Sequence, residues 1–312
     1  MDLVAVLGVR CWEAALTDLL PWFVSESQLI INGAAKGCIY GLIALGFVLI
    51  YKATEMVNFA QGDLMMLGAF IAFTFIAIVG LPYWLGFLLA ILVMAVIGYA
   101  LDAVVLRTVI GQPQFAIIML TIGLGYVFRT LAGMIWGYEP ASFDTPFTGR
   151  IATLGPVTIG QENLAIIVGT VILCAVLYIF FTRTRIGVAM QASSQNQLAA
   201  YYMGIPVKMV FSLIWAISAG VAVVAGVLVS PLSLIDPNLG FLGIKAFAAA
   251  VLGGFGSIPG ALLGGVLIGI VEQLAGFHLP AGSQDVSAYV VLLGVLVIRP
   301  SGLFAQVGRK KV

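Results

Sequence analysis

Leu29-Ile-Ile-Asn-Gly-Ala-Ala-Lys-Gly-Cys-Ile-Tyr-Gly-Leu-Ile-Ala-Leu-Gly-Phe-Val-Leu-Ile-Tyr51 decides the class of fold. A helix needs about 20 apolar residues to cross about 30 Å of hydrocarbon at ~1.5 Å per residue, and this stretch has that length with Lys36 as its one charge. Comparable runs cover 56–79, 84–106, 115–136, 163–182 and 209–230. Beyond them, 241–254 and 260–276 are separated by a Gly-Ser-Ile-Pro-Gly break, and a last apolar run covers 286–298. These three runs are either three crossings or a re-entrant pair followed by one crossing. The fold class is an all-α, polytopic membrane bundle of about eight transmembrane helices, with a broken or re-entrant pair near the carboxyl end as one of its two forms.

Composition excludes the other classes. Apolar residues make up 62% and charged residues 9% of the chain, against about half and about a quarter in soluble domains. A transmembrane barrel would alternate apolar and polar residues in segments of about ten, and no such alternation is present. The 312 residues leave no stretch for an independent soluble domain. Cys11, Cys38 and Cys174 lie far apart and read as packing residues. The net charge of +1 gives no footing for nucleic acid. No G-x-x-x-x-G-K-[ST] occurs, so this chain does not itself cradle ATP. Gly254-Phe-Gly256 has Pro259 where a dinucleotide loop needs glycine, and the lone His278 is too few ligands for a metal.

Residues 1–28 carry Arg10, Glu13 and Asp18 within an otherwise apolar stretch, with Trp12, Trp22 and Phe23 suited to the headgroup layer, and read as an interfacial segment. With that segment outside, the inner loops hold nine basic residues (Lys52, Arg107, Arg183, Arg185, Lys208, Arg299, Arg309, Lys310 and Lys311) against Arg10 and Arg150 outside. This bias makes the 183–208 loop and the carboxyl terminus cytoplasmic and the amino terminus periplasmic, in a bacterial inner membrane. The organisation is an amino-terminal segment 1–28, a membrane domain 29–308 and a basic cytoplasmic tail 309–312.

Two groups inside the spans stand out. Gly33, Gly37 and Gly41 are spaced by four on one helix face, as are Gly256, Gly260 and Gly264; such stripes let backbones approach where lipid supplies no hydrophobic drive, and tight packing outweighs a role in lining a pathway. Asn58, Gln61 and Asp63 form a polar cluster at membrane depth, where an ionised group costs at least about 2.5 kcal/mol, so this helix faces protein or water. The cluster either borders a substrate route or is an inter-helix hydrogen-bond patch near the cytoplasmic interface. Lys36, Asp102, Arg129, Lys245 and Glu272 raise the same question, and their signs permit pairs such as Arg129 with Glu272.

The 183–208 loop contains one short helix signal. Ser194 suits an N-cap, Gly204 a C-terminal stop, and Pro206 bars continuation. Leu198, Tyr201, Tyr202 and Ile205 follow i, i+3, i+4, i+7, an apolar face on a loop with no core of its own, and such a face fits a groove on another protein.

Five ordered motifs carry a resemblance: the Gly33 to Gly46 opening, Asn58-Phe-Ala-Gln-Gly62-Asp-Leu-Met-Met-Leu-Gly68-Ala-Phe, the Gly187 to Ile205 loop, the Leu252-Gly-Gly-Phe-Gly-Ser-Ile-Pro-Gly-Ala-Leu-Leu-Gly-Gly segment, and the closing Arg299-Pro-Ser-Gly-Leu-Phe. From Leu29 to Phe304 the chain resembles the branched-chain amino acid ABC importer permeases, most closely their LivH branch. The resemblance implies a non-catalytic subunit working by alternating access, paired with a second homologous permease subunit, two cytoplasmic ATPase subunits that bind ATP and Mg, and a periplasmic substrate-binding protein. It implies no cofactor in this chain. It also implies that the loop is the coupling helix that fits the ATPase, with Gly187, Gln191, Ser194, Asn196, Leu198, Ala199, Tyr201, Tyr202, Gly204 and Ile205 in that element. Family members often carry charges there; Gln191, Gln195, Asn196 and Gln197 leave hydrogen bonds and apolar packing to do the docking. Leucine, isoleucine and valine are the implied substrates, with urea, short amides and other amino acids as alternatives among relatives. The rival class, an ion-coupled secondary transporter or channel, would use Asp63, Asp102 and Lys245.

Overall fold

The computed structural model describes residues 3–109, 112–154, 157–299 and 302–304, with side chains from residue 24 onward except at 154 and 157. The basic tail 309–312 lies outside these residues. The chain is a helical bundle: α1 (Leu3–Thr54), α2 (Gln61–Phe73), α3 (Tyr83–Val104), α4 (Gln114–Trp136), α5 (Gln161–Arg183), α6 (Arg185–Gln195), α7 (Gln197–Tyr202), α8 (Val207–Val229), α9 (Leu242–Gly253), α10 (Ile258–His278) and α11 (Ser283–Ile298). A two-stranded antiparallel hairpin, β1 (Ile151–Leu154) with β2 (Val157–Gly160), interrupts the loop between α4 and α5.

Seven helices among the described residues are long and apolar enough to cross a membrane: Val24–Thr54, Gln61–Ile78, Tyr83–Val109, Gln114–Trp136, Gln161–Arg183, Val207–Val229 and Ile258–His278. Pro237–Gly253 and Ser283–Ile298 are shorter apolar helices, so the sequence count of about eight resolves into seven long elements and two short ones. The boundary expected near residue 28 is not a break in the backbone, because α1 runs through it without interruption.

α1, α2 and α8 are largely buried and form the middle of the bundle, whereas α3, α4 and α5 present wide apolar faces outward. Lipid is as apolar as leucine, so close helix contact rests on backbone approach rather than on apolarity. The α1 to α10 seam is built this way. A Cβ added to Gly37 would lie 2.6 Å from Gly265 O and 2.6 Å from Val266 Cα, and one added to Gly33 would lie 2.8 Å from Ile270 Cα. Gly41 meets Leu262 on the same seam. The pairing of 33 with 269–270 and 41 with 262 makes the two helices antiparallel.

The two ends of the bundle are distinct. At the hairpin end, Gln28 Nε2 donates to Thr158 Oγ1 (2.8 Å), Asn163 Nδ2 donates to Asn32 Oδ1 (2.7 Å) and His278 Nε2 meets Glu26 Oε1 at 3.0 Å. At the opposite end α6 lies beside the close of α1, α7 follows α6 and touches α8, and Leu303 N donates to Leu252 O of α9 (2.8 Å).

Two elements start inside the bundle. Glu55, with φ of 55°, ends α1, and a non-helical segment then climbs to Gln61 beside Gly46, about 12 Å from the end of α1 at ~1.5 Å per residue. After α8 the chain turns inward again: Ile235 pairs with Ala141 across an isolated bridge, a 3-10 turn follows at Pro237–Phe241, and α9 begins with Gly243 against Gly62. Thus α9 is a half-length helix running from mid-depth to the α7 end, followed by the full-length α10. With α10 returning to the hairpin end and α11 leading back to Leu303 beside Leu252, the chain passes between the two ends three times after α8, the first of the two forms expected for this region, its first pass helical only over the second half. The α9–α10 break is a capping device: Gly254 leaves the helix at φ 91°, and Ser257 Oγ accepts from Gly260 N (3.1 Å) with Pro259 in the first turn.

Candidate functional site: the mid-depth cavity and the exposed α7

The entry points of α2 and α9 meet at Asp63. This carboxylate sits in the first turn of α2, where helix N–H groups favour negative charge. It is approached by Gly125 of α4 and Gly240 of the 3-10 turn, and a Cβ on either glycine would collide with its oxygens. Arg129, one turn beyond Gly125 on the same face of α4, donates from Nη2 (2.8 Å) and Nε (3.3 Å) to Asp63 Oδ1. The Arg129 guanidinium also lies 3.9 Å from the centroid of the Phe241 ring and 5.5 Å from that of Tyr126, so its charge is held by a carboxylate and two aromatic rings.

Beside this pair lies a cavity of about 300 Å³, lined by Asp63 and Arg129 and walled by Phe47, Phe59, Ile122, Tyr126, Phe241, Ile244 and Phe247. Its volume is at the lower end of ~300–1,000 Å³ for small-molecule sites, and its make-up, apolar wall with few polar groups, is of the same kind. Tyr126, Phe241 and Ile244 are exposed, so the cavity opens sideways from the bundle. Irregular backbone at membrane depth is tolerated where it lines a cavity or is buried in protein, and both breaks meet that condition.

Asn58 and Gln61, predicted together with Asp63, are placed differently. Gln61 Oε1 accepts from Asn58 Nδ2 (3.3 Å) and lies 3.1 Å from Ser218 Oγ, which is also 3.1 Å from Gly46 O. These groups knit α1, the start of α2 and α8 together. They sit well inside the bundle, not near an interface, because Gly46 and Ser218 are each about two to three turns from their helix ends. Gly33, Gly37 and Gly41 line the α1–α10 seam and none borders this cavity.

The pairing of Arg129 with Glu272 that the signs allowed is not formed. Glu272, fully buried, accepts from Lys36 Nζ (2.8 Å) and Lys245 Nζ (2.9 Å), and Lys245 also meets Asp285 (2.8 Å). Asp102 is buried against Ser212 Oγ (2.6 Å) and Arg107 Nε (3.4 Å). Each of the five charges within apolar runs therefore has a partner of opposite sign, as the price of ionisation at depth requires. Arg129 was legible as an intramembrane charge, and its i, i+4 relation to Gly125 put both on one face. Nothing in the sequence pointed to Gly240 or Phe241, which arrive through the 3-10 turn that precedes α9.

The loop at the other end holds two helices, not one. Ser194 is in the last turn of α6 and donates to Gln191 O (2.8 Å); the N-cap of α7 is Asn196, whose Oδ1 accepts from Ala199 N (2.9 Å). Asn196 wins because an extended residue at φ −155° separates the helices there. Gly204, at φ 83°, closes α7 as expected. Leu198, Tyr201, Tyr202 and Met203 are 64%, 67%, 77% and 82% exposed. Ile205 leaves this face: it packs against the core, and its N–H donates to Ala200 O (3.0 Å). Ala199 is exposed, Gly187 is buried against the Phe180–Phe181 backbone, and Gln191 and Ser194 line a small cleft with Lys52 and Ile258.

A helical bundle with long membrane-crossing elements, two of its helices starting at mid-depth around a lined cavity, defines a multi-pass membrane transport protein. The chain belongs to the family described as branched-chain amino acid transport system / permease component, whose model matches residues 29–299. It is 33% identical over 307 residues to the high-affinity branched-chain amino acid transport system permease protein BraD of Pseudomonas aeruginosa, covering 94% of this chain and 100% of that one. It is 32% identical to the permease protein LivH of the same kind of system in Escherichia coli, and 31% identical to LivH of Salmonella typhimurium, each covering 93% of this chain and 99% of the other.

Proposed function

We infer that this chain is a permease subunit of an ATP-driven importer for leucine, isoleucine and valine, in a bacterial inner membrane, with α7 on the cytoplasmic side and the hairpin end facing the periplasm. The observation that carries the reading is the apolar, exposed face of α7 at the end of the bundle opposite the hairpin. Four large apolar side chains in water have no use in this chain alone. They suit a groove on an ATPase subunit, which would supply ATP and Mg from outside this chain, and the amide side chains of Gln195, Asn196 and Gln197 would supply hydrogen bonds at the rim in place of ion pairs. A second permease subunit would meet the outward-facing helices, and a binding protein would deliver the amino acid at the hairpin end. The substrates of the BraD and LivH relatives support the choice of amino acid.

Partner dependence is the test. Purified with co-expressed ATPase and second permease subunits, the chain should elute as one complex, and the binding protein encoded with it should bind leucine and valine but not urea. Elution of this chain alone, or a binding protein that takes urea and not leucine, would contradict the assignment.

A further inference from the structure

The Asp63–Arg129 pair is a weak device for holding helices together, since two buried charges lose hydration that their attraction only partly returns. Its chemistry is also incomplete. A guanidinium has five N–H donors, and two of them, on Nε and Nη2, reach Asp63 Oδ1. Among the described residues the others have no acceptor, and Asp63 Oδ2 accepts no hydrogen bond. Both residues border the cavity, whose remaining side chains are those of phenylalanine, isoleucine and tyrosine, with Gly240 and Gly243 completing the wall.

Resting on the importer reading above, we propose that this pair is the recognition site for the substrate's zwitterion within the membrane. The free edge of Arg129 takes the α-carboxylate, Asp63 Oδ2 takes the α-ammonium, and the aromatic wall around Phe47, Phe59 and Phe247 takes the aliphatic side chain. The pair is intrinsically self-neutralising, so the empty site carries little net charge through the bilayer, and an arriving zwitterion adds none. A free inorganic ion of either sign meets the opposite partner already neutralised and gains little. Arg129 is fixed for the task by the flanking Phe241 and Tyr126 rings. The class of ligand is therefore an α-amino acid with an apolar side chain, contacted by these two residues directly.

The experiment uses the full complex in proteoliposomes, with its binding protein outside and ATP inside. Arg129→Gln with Asp63→Asn removes both charges and leaves no unpaired carboxylate. Arg129→Lys keeps the ion pair but replaces a planar fork, able to serve two carboxylates side by side, with a point charge. Uptake of radiolabelled leucine should fall at least tenfold in the double variant and at least fivefold in Arg129→Lys. ATP hydrolysis stimulated by the liganded binding protein should persist in both, because docking and coupling lie at the two ends of the bundle. Parental leucine uptake in either variant overturns the proposal, as does loss of uptake that comes only with loss of stimulated hydrolysis in Arg129→Lys. Absence of leucine uptake by the parental complex would instead overturn the importer assignment on which the proposal rests.

Discussion

At the scale of single residues, glycine positions decide what this bundle tolerates. Gly37 sits where two backbones touch, whereas Gly123 on α4 has open space around it. Gly37→Leu should therefore cost at least about 1–3 kcal/mol, the range for overpacking a filled interface, and lower the thermal unfolding midpoint in detergent; Gly123→Leu, which replaces a mid-helix glycine in open space, should leave the midpoint unchanged or raise it. Equal midpoints for the two variants would place the α1 face in lipid. The stripe at 33, 37 and 41 was legible because helical periodicity alone brings it to one face. The partner of Arg129 was not, because sign matching says nothing of depth: the signs allowed Glu272, whereas the start of α2 lies inside the bundle at the level of Gly240 and brings Asp63 to Arg129.

At the scale of elements, capping and docking are separable in the segment that holds α6 and α7. The extended backbone at Asn196 makes it the cap of α7 and leaves Ser194 inside α6. Asn196→Ala should destabilise α7 by about 1 kcal/mol, read as roughly fivefold faster amide hydrogen exchange over 199–203, while Ser194→Ala should leave that exchange unchanged. The reverse pattern would restore the cap expected at Ser194. Docking is probed by Leu198→Asp with Tyr202→Asp: both side chains are largely exposed, so the membrane helices should fold and insert, whereas a carboxylate cannot be buried cheaply in an apolar groove. The ATPase subunits should be lost on purification and uptake should fall by more than tenfold. Retention of both at the parental level would remove α7 from coupling. An apolar face at i, i+3, i+4 was readable in the sequence; the inward turn of Ile205 was not, since it depends on a core contact made only after Gly204 reverses the chain.

At the scale of the whole molecule, most of the long spans agree with the apolar runs to within a few residues, because length and apolarity are the whole of that signal. The half-length α9 is the exception. Its apolar run reads like any other, and only the contacts of Gly243 with Gly62 and of Gly240 with Asp63 show that it starts at mid-depth. Orientation rests on charge, so reporter fusions after Lys208 should read as cytoplasmic and one near Gly149 as periplasmic; a periplasmic signal at Lys208 would invert the bundle and strand α7 away from any ATPase. Lys36, Asp102, Arg129, Lys245 and Glu272 are each paired with an opposite charge, so none stands as an isolated ion at depth. The most direct measurement is leucine accumulation in proteoliposomes holding this chain with its second permease subunit, ATPase subunits and binding protein, with proton and sodium gradients collapsed by ionophores. The account predicts accumulation that requires ATP and the binding protein and is unaffected by the ionophores. Accumulation by this chain alone, driven by an ion gradient and abolished by the ionophores, would contradict it.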